Sequence, residues 1–165
     1  MNQNKLTSVA VIVVIALIIV VSLSNSLFLT IDAGERGVLF KRFDGGLDKE
    51  TVYSAGFHVI APWNTMYVYS VREQQLEEKM TVLSNNGLNI TIEITVRVHP
   101  DYDKIGELHD EFGKDYIVSL VRPEIRSSAR NVFGRFGPEE LYSTKRDEVQ
   151  TMIEKELEET LKKNS

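Results

Sequence analysis

The sequence of 165 residues contains no cysteine, which excludes disulfide bonds and thiolate metal sites but leaves both oxidising and reducing compartments open. Signatures of common catalysts are missing as well. No serine lies in a Gly-x-Ser-x-Gly elbow or a Ser-x-x-Lys pair, and no glycine-rich loop has the spacing of a phosphate or dinucleotide site. No two of the three histidines have the i,i+4 spacing of a helical zinc site. We therefore predict that the protein is not an enzyme and has no metal or cofactor site.

Positive charge is scarce along the chain. Of the 19 lysines and arginines only Lys5 lies in the first 29 positions, so residues 30–165 carry 18 basic against 24 acidic residues, a net charge of about −6. Proteins that bind nucleic acid draw their affinity mainly from neutralised phosphates. The charge balance therefore predicts no nucleic-acid partner, and it offers no obvious polybasic patch for anionic lipids.

The longest apolar stretch is at the N-terminus. Residues 6–23 are apolar except for three hydroxyl side chains, and residues 9–21 contain no polar side chain at all. With the apolar residues that follow, the stretch reaches the roughly 20 residues that a helix needs to cross a hydrocarbon core about 30 Å thick. We predict a retained, single-pass membrane anchor (signal anchor) over residues 1–29. A cleaved signal peptide is the alternative, because Ser22-Leu23-Ser24 is a weak small-x-small site.

The charges that flank this segment bear on its orientation. Only Lys5 and the α-amino group precede it, whereas Arg36, Lys41 and Arg42 follow closely, so the count of positive charges does not favour a cytoplasmic N-terminus. A large domain can nevertheless be translocated despite its charge. We expect the domain on the non-cytoplasmic side of a bacterial or mitochondrial inner membrane.

Short strands are predicted after Thr30. The clearest is NGLNITIEITVRVHP, residues 86–100, in which apolar and polar side chains alternate without a fault. Because side chains of a strand have a period of 2, one face of this strand meets a core and the other meets water or a second surface. The Asn86-Gly87 turn predicts an antiparallel ribbon with the preceding segment, and Asp44-Gly45-Gly46 predicts a second hairpin.

Helical patterns begin after Pro100. A short helix is predicted over residues 101–112, and apolar residues at every third or fourth position predict a buried stripe over residues 116–133, in which Pro123 bends the helix or starts its second half. The last helical region, opened by Pro138, is highly charged and has one thin apolar seam. We predict that this seam contacts a partner helix; its residues are Val149, Ile153, Leu157 and Leu161.

Two further groups are candidate interaction sites. One is a basic row at i, i+4 and i+8 of a predicted helix, which would bind an acidic partner or a neighbouring subunit, with a solvated helix face as the alternative; it consists of Arg122, Arg126 and Arg130. The other is an apolar, aromatic surface near the expected membrane side, although two of its members would suit a core equally well; it consists of Phe57, Pro62 and Trp63.

Several segments resemble, in order and spacing, the prohibitin branch of the SPFH (band 7) family, which also includes stomatins and flotillins. These are AGERGVLFKRFDG, SAGFHVIAPW, VYSVREQQ, SNNGLNITIEITVRVHP and FGKDYIVSLVRPEIRSSARNVFGRFGPEELYSTKRDEV, and the similarity extends over roughly residues 27–161. Two positions depart from the family pattern. Ser70 stands where an acidic residue is usual, and the turn Ser84-Asn85-Asn86-Gly87 keeps only the glycine of the usual Thr-x-Asp-Gly.

The resemblance implies an α+β fold, in which an N-terminal transmembrane helix is followed by a curved antiparallel sheet with packed helices. We expect the anchor at residues 1–29, the SPFH domain at residues 30–143 and the start of a long C-terminal helix or coiled coil at residues 144–165. Members of the family continue through another strand and a long coiled-coil helix, so we expect the C-terminal helix to be truncated here.

The resemblance also implies a non-enzymatic membrane scaffold. Such proteins assemble with themselves or with related SPFH subunits into large rings or cages, organise membrane proteins and lipids, and in several branches associate with membrane AAA+ quality-control proteases. Two other classes of function stay open on the sequence alone. One is a membrane-tethered hydrolase whose Ser and His residues only the fold brings together, and the other is a monomeric adaptor that binds one membrane protein through its acidic C-terminal helix.

Overall fold

A computed structural model describes residues 11–15, 18, 27–142 and 145–163 of the chain. It is α+β with antiparallel sheets, as the sequence predicts. Residues up to Ser70 and residues from Val71 onward form two separate compact units, here the N-terminal and the C-terminal unit. Most of the predicted anchor at residues 1–29 lies outside the described residues. Among the helices that are described, none is long and apolar enough to span a membrane.

The described N-terminal unit is built mainly of strands. Their bounds are β1 Phe28–Ile31, β2 Glu35–Lys41, β3 Gly46–Tyr53, β4 Gly56–Val59 and β5 Thr65–Ser70. Strand β2 lies between β3 and β5 in a three-stranded antiparallel sheet, and β1 pairs with β4 in a separate two-stranded one. The core of the unit contains Ile31, Val38, Leu39 and Tyr69, all buried.

Glycines make two features of this unit possible. The turn between β2 and β3 has φ angles of 77° at Gly45 and 75° at Gly46, a left-handed region open mainly to glycine, so the predicted hairpin is confirmed. Within β2, a Cβ atom on Gly37 would lie 2.6 Å from Sδ of Met66 and 2.7 Å from Cδ1 of Ile31. The close packing of strands β1, β2 and β5 around this point therefore depends on a missing side chain.

The C-terminal unit combines a two-stranded ribbon with helices. The strands are β6 Gln74–Leu83 and β7 Asn89–Val98. The helices are α1 Ile105–Phe112, a π-helical turn Ile117–Val121, α2 Arg122–Phe133, α3 Pro138–Tyr142 and α4 Arg146–Lys163. Helix α2 packs against β6, and α4 packs against α2.

The ribbon confirms the prediction made from the Asn-Gly turn. Strands β6 and β7 pair antiparallel from Gln74 opposite Val98 to Leu83 opposite Asn89, and Gly87 has a φ of 80°. The Ser84 hydroxyl donates a hydrogen bond to Oδ1 of Asn86 at 2.6 Å. Such side-chain bonds within a turn fix its conformation and hence the register of both strands.

The helical region differs from a single bent helix. A π-helical turn comes first, and α2 begins at Arg122 with Pro123 in its first turn. Proline lacks an amide hydrogen, which the first turn of a helix does not need, so Pro123 starts a helix here. The core of this unit includes Ile105, Leu120, Val121, Ile125, Ala129 and Val132, all buried.

Candidate interaction surfaces

Two residues of the predicted arginine row bind a carboxylate of their own unit. Arg126 donates hydrogen bonds from Nε and Nη2 to Oε2 of Glu78 at 3.0 and 2.9 Å, and Nη1 of Arg122 lies 2.9 Å from Oε1 of the same carboxylate. The Glu78 side chain is 3 % exposed, whereas those of Arg122 and Arg126 are 42 % and 49 % exposed. The pair of arginines therefore neutralises a buried acid and fixes α2 on β6.

The remaining polar atoms of this cluster are less well satisfied. In the part of the chain that the structure describes, Oε1 of Glu78 and Nε of Arg122 are buried and have no hydrogen-bond partner; the ion pair between Nη1 of Arg122 and Oε1 is the contact that Oε1 makes. Arg130, one turn further along α2, is exposed. The exposed parts of the three arginines are still available to a partner, which stays a prediction.

Glu78 is not among the site residues predicted from the sequence. It lies in β6 between Leu76 and Met80, on the face of the ribbon that packs against α2. Buried residues alternate along this strand, and Glu78 takes one of the inward positions. An acid at an inward position of an alternating strand, with arginines at i and i+4 of a following helix, is a signal from which the contact could have been predicted.

The apolar seam of α4 is largely covered inside the C-terminal unit. Val149, Ile153 and Leu157 are 4 %, 7 % and 5 % exposed, respectively, and α4 packs on α2. Leu161 is half-buried. The structure thus gives three of the four seam residues a partner within the chain itself. Contact of this seam with another subunit stays a prediction.

An apolar groove of about 1210 Å³ lies between β7 and α4 in the same unit. Its strand side includes Ile92, Ile94 and Val96, which are only half-buried. Its helix side includes the seam residues Ile153 and Leu157. Apolar side chains that the chain itself covers incompletely mark a place where another apolar surface can bind.

The predicted aromatic surface of the N-terminal unit is exposed. Phe57 is 64 % exposed and stacks on Phe28 with 5.6 Å between ring centroids, and Trp63 is 50 % exposed and lies 6.2 Å from the ring of Phe43. Pro62 is half-buried. Neither Phe57 nor Trp63 belongs to the core of the unit, so both are available to a membrane or a partner, as the prediction requires.

The histidines have ordinary surroundings. Nε2 of His58 lies 2.7 Å from the Ser54 carbonyl oxygen, and the ring of His99 stacks on Tyr102 with 5.9 Å between centroids. Partial burial lowers the pKa of His109. Among the described residues, no three His, Asp or Glu side chains are placed to hold a metal ion.

Comparison with known proteins is consistent with this architecture. A family model described as SPFH domain / Band 7 family matches residues 29–164. The chain is 27 % identical to prohibitin 1 of Drosophila melanogaster over 137 aligned residues. The aligned region covers 81 % of this chain and 48 % of that protein. It is 27 % identical over 136 residues to prohibitin-2 of Dictyostelium discoideum, covering 82 % and 45 %. It is 28 % identical over 126 residues to prohibitin-7, mitochondrial, of Arabidopsis thaliana, and the aligned region covers 76 % of this chain and 44 % of that protein. The chain thus spans about half the length of these relatives.

Proposed function

The chain belongs to the SPFH domain / Band 7 family, and on this premise we propose that it is a membrane-anchored, non-enzymatic scaffold of the prohibitin type. Its copies, alone or with a related SPFH subunit, join into large rings or cages that organise membrane proteins and lipids. The observation that carries the proposal is the family match over residues 29–164, together with similarity to several prohibitins over about four-fifths of the chain.

Attachment to the membrane has two supports in this chain. The apolar run at residues 9–21 has the composition of a membrane helix. The N-terminal unit exposes Phe57 and Trp63, each in contact with a second exposed aromatic ring. Aromatic rings are favoured at the boundary between hydrocarbon and water. In the proposed arrangement the anchor holds the chain in a bacterial or mitochondrial inner membrane, with the following residues on the non-cytoplasmic side.

Self-assembly is supported by the C-terminal unit. Its groove exposes half-buried apolar residues of β7, and the guanidinium groups of Arg122 and Arg126 are only partly covered by Glu78. Incompletely covered apolar residues and partly exposed arginines are both features of many protein interfaces. Modulation of a membrane AAA+ protease is the most distant part of the proposal and rests on the family resemblance.

Sedimentation of the full chain in mild detergent tests the proposal. A scaffold is expected to give large particles whose mass is a fixed multiple of 18.8 kDa and which dissociate on dilution, because assembly of identical subunits follows mass action. A protein that is monomeric at every concentration would refute the proposal and favour an adaptor that binds a single partner.

A further inference from the structure

The arginine row of α2 keeps donor groups on its outer side. Arg126 binds Glu78 through Nε and Nη2, and Arg122 contacts the same carboxylate through Nη1. A guanidinium group has five N–H donors, so these contacts leave Nη1 of Arg126 and Nη2 of Arg122 to other partners. The two arginine side chains are 49 % and 42 % exposed, and their remaining donors can therefore reach a second molecule.

Glu78 also restricts the two arginine side chains that it binds. An arginine normally loses rotamer freedom when it binds a partner, and a side chain that is already held in place loses less. Two guanidinium groups on one carboxylate leave a surplus of one positive charge. Arg130, one turn further along α2, is exposed and adds a second. The arginine row is therefore a pre-organised surface with room for two negative charges.

The C-terminal unit carries the opposite charge on another segment. Residues 101–115, which include α1, contain six acidic residues against two lysines, a formal net charge of −4. Residues 122–135, which include α2, contain four arginines against one glutamate, a formal net charge of +3. Complementary charge favours the encounter of two protein surfaces and fixes their register. A second copy of this chain thus offers the kind of surface that the arginine row fits.

The charges on the two helices have the same spacing. Glu107 and Glu111 are exposed residues of α1 and lie four positions apart, which is roughly 6 Å along a helix. Arg126 and Arg130 have the same separation on α2. Two glutamates of one helix can therefore face two arginines of another, with charge-assisted hydrogen bonds at both positions. The two negative charges of α1 equal the surplus charge of the arginine row.

These surfaces are separate from the apolar groove of the same unit. Among the described residues that line the groove between β7 and α4, there is neither Glu107 nor Glu111, and none of the three arginines. Arg122 and Arg126 instead contact β6 through Glu78. A contact between the arginine row and α1 therefore does not depend on what fills the groove or pairs with β7.

We propose that the arginine row of one copy binds the face of α1 that carries Glu107 and Glu111 in a second copy. This inference rests on the proposed self-assembly and assigns a contact to it. Because two different surfaces meet, the contact is heterologous, and its repetition around an axis closes a ring. Each copy in such a ring uses its arginine row towards one neighbour and its α1 towards the other.

Charge reversal in the full chain tests the contact by sedimentation in mild detergent. Arg130→Glu places like charges at every contact, so the protein concentration at which the particles dissociate should rise roughly tenfold. Glu107→Lys and Glu111→Lys should each raise it as well. The matched controls are Lys79→Glu and Glu77→Lys, at exposed positions on the outward face of β6, and they should leave that concentration unchanged. All five positions are exposed, so folding should be retained, which a circular dichroism spectrum would verify.

Mixtures of the variants test whether the two surfaces bind each other. A copy with Arg130→Glu keeps its α1 intact, and a copy with Glu107→Lys or Glu111→Lys keeps its arginine row. In an equimolar mixture the two kinds of copy can alternate, so that every contact again joins opposite charges. Mixing with the variant of the glutamate that faces Arg130 should return the dissociation concentration to that of the unmodified chain.

The outcomes separate this inference from the proposed function. Large particles that Arg130→Glu leaves unchanged would keep the scaffold in place and overturn the contact. Weaker assembly of all three reversal variants, with no recovery in either mixture, would show that these residues do not face one another and would also overturn it. Monomers of the unmodified chain at every concentration would overturn both the contact and the scaffold.

Discussion

Removal of the Glu78 carboxylate should destabilise the C-terminal unit strongly. The side chain is 3 % exposed and contacts two arginines, with three donor atoms at 2.9–3.0 Å from its oxygens. Breaking a buried ion pair by removing one partner costs about 3–5 kcal/mol. Arg122 and Arg126 are nearly half exposed and can regain water, so we reduce the expected loss for Glu78→Ala to about 2–3 kcal/mol. Glu78→Gln keeps an acceptor of similar shape and should lose about 1–2 kcal/mol.

Urea unfolding of the full chain in a non-denaturing detergent, followed by circular dichroism, measures this loss as a change in the free energy of unfolding. The matched control is Glu77→Gln, because Glu77 is the exposed neighbour on the other face of β6 and should change that free energy by less than about 0.5 kcal/mol. In an Arg126→Gln background, Glu78→Gln should cost less than it does alone, since the two residues interact directly. Equal effects at positions 77 and 78 would refute the assignment of the cluster as a stabilising contact.

Three further predictions concern other parts of the chain. Ile153→Ala should lower the free energy of unfolding by about 2–4 kcal/mol because Ile153 is buried within its own unit. Leu161→Ala should lower it by less, because Leu161 is only half-buried. If urea unfolding shows equal and negligible losses for both variants, the seam serves other subunits alone. Trp63, the single tryptophan, should be quenched by brominated lipids in bilayers. The tryptophan of a Trp63→Phe, Val118→Trp variant should not be quenched, since Val118 is more exposed than Trp63, 65 % against 50 %, but lies in the C-terminal unit. Burial lowers the pKa of His109, so the unfolded state binds more protons; the free energy of unfolding should fall as the pH drops below about 6.5, and a pH series of the His109→Gln variant should lack this component.

Local chemistry explains which features could be predicted from the sequence. The hairpin at Asp44-Gly45-Gly46 and the ribbon at Asn86-Gly87 were predicted because few residues adopt positive φ angles. The strict alternation of residues 86–100 identified β7 and its two faces. In each case the determining residues are neighbours in sequence, so no knowledge of the tertiary fold was needed.

Features that depend on residues distant in sequence were missed. Glu78 and Arg126 are 48 positions apart, and periodicity on α2 alone does not distinguish arginines that bind an internal acid from arginines on a solvated face. The seam of α4 has the same pattern whether its partner is α2 or a helix of another subunit. The π-helical turn before Pro123 also escaped prediction, because a recurrence of apolar residues every three or four positions does not separate α from π geometry over so short a segment.

The central claim is that copies of this chain assemble on a membrane. Electron microscopy of the full chain, reconstituted into lipid vesicles and imaged without crosslinking, tests it most directly. We predict closed rings or cages of uniform diameter on the vesicle surface, since symmetric association of identical subunits yields closed assemblies. Particles of single-chain size dispersed over the vesicles at every protein density would contradict the account.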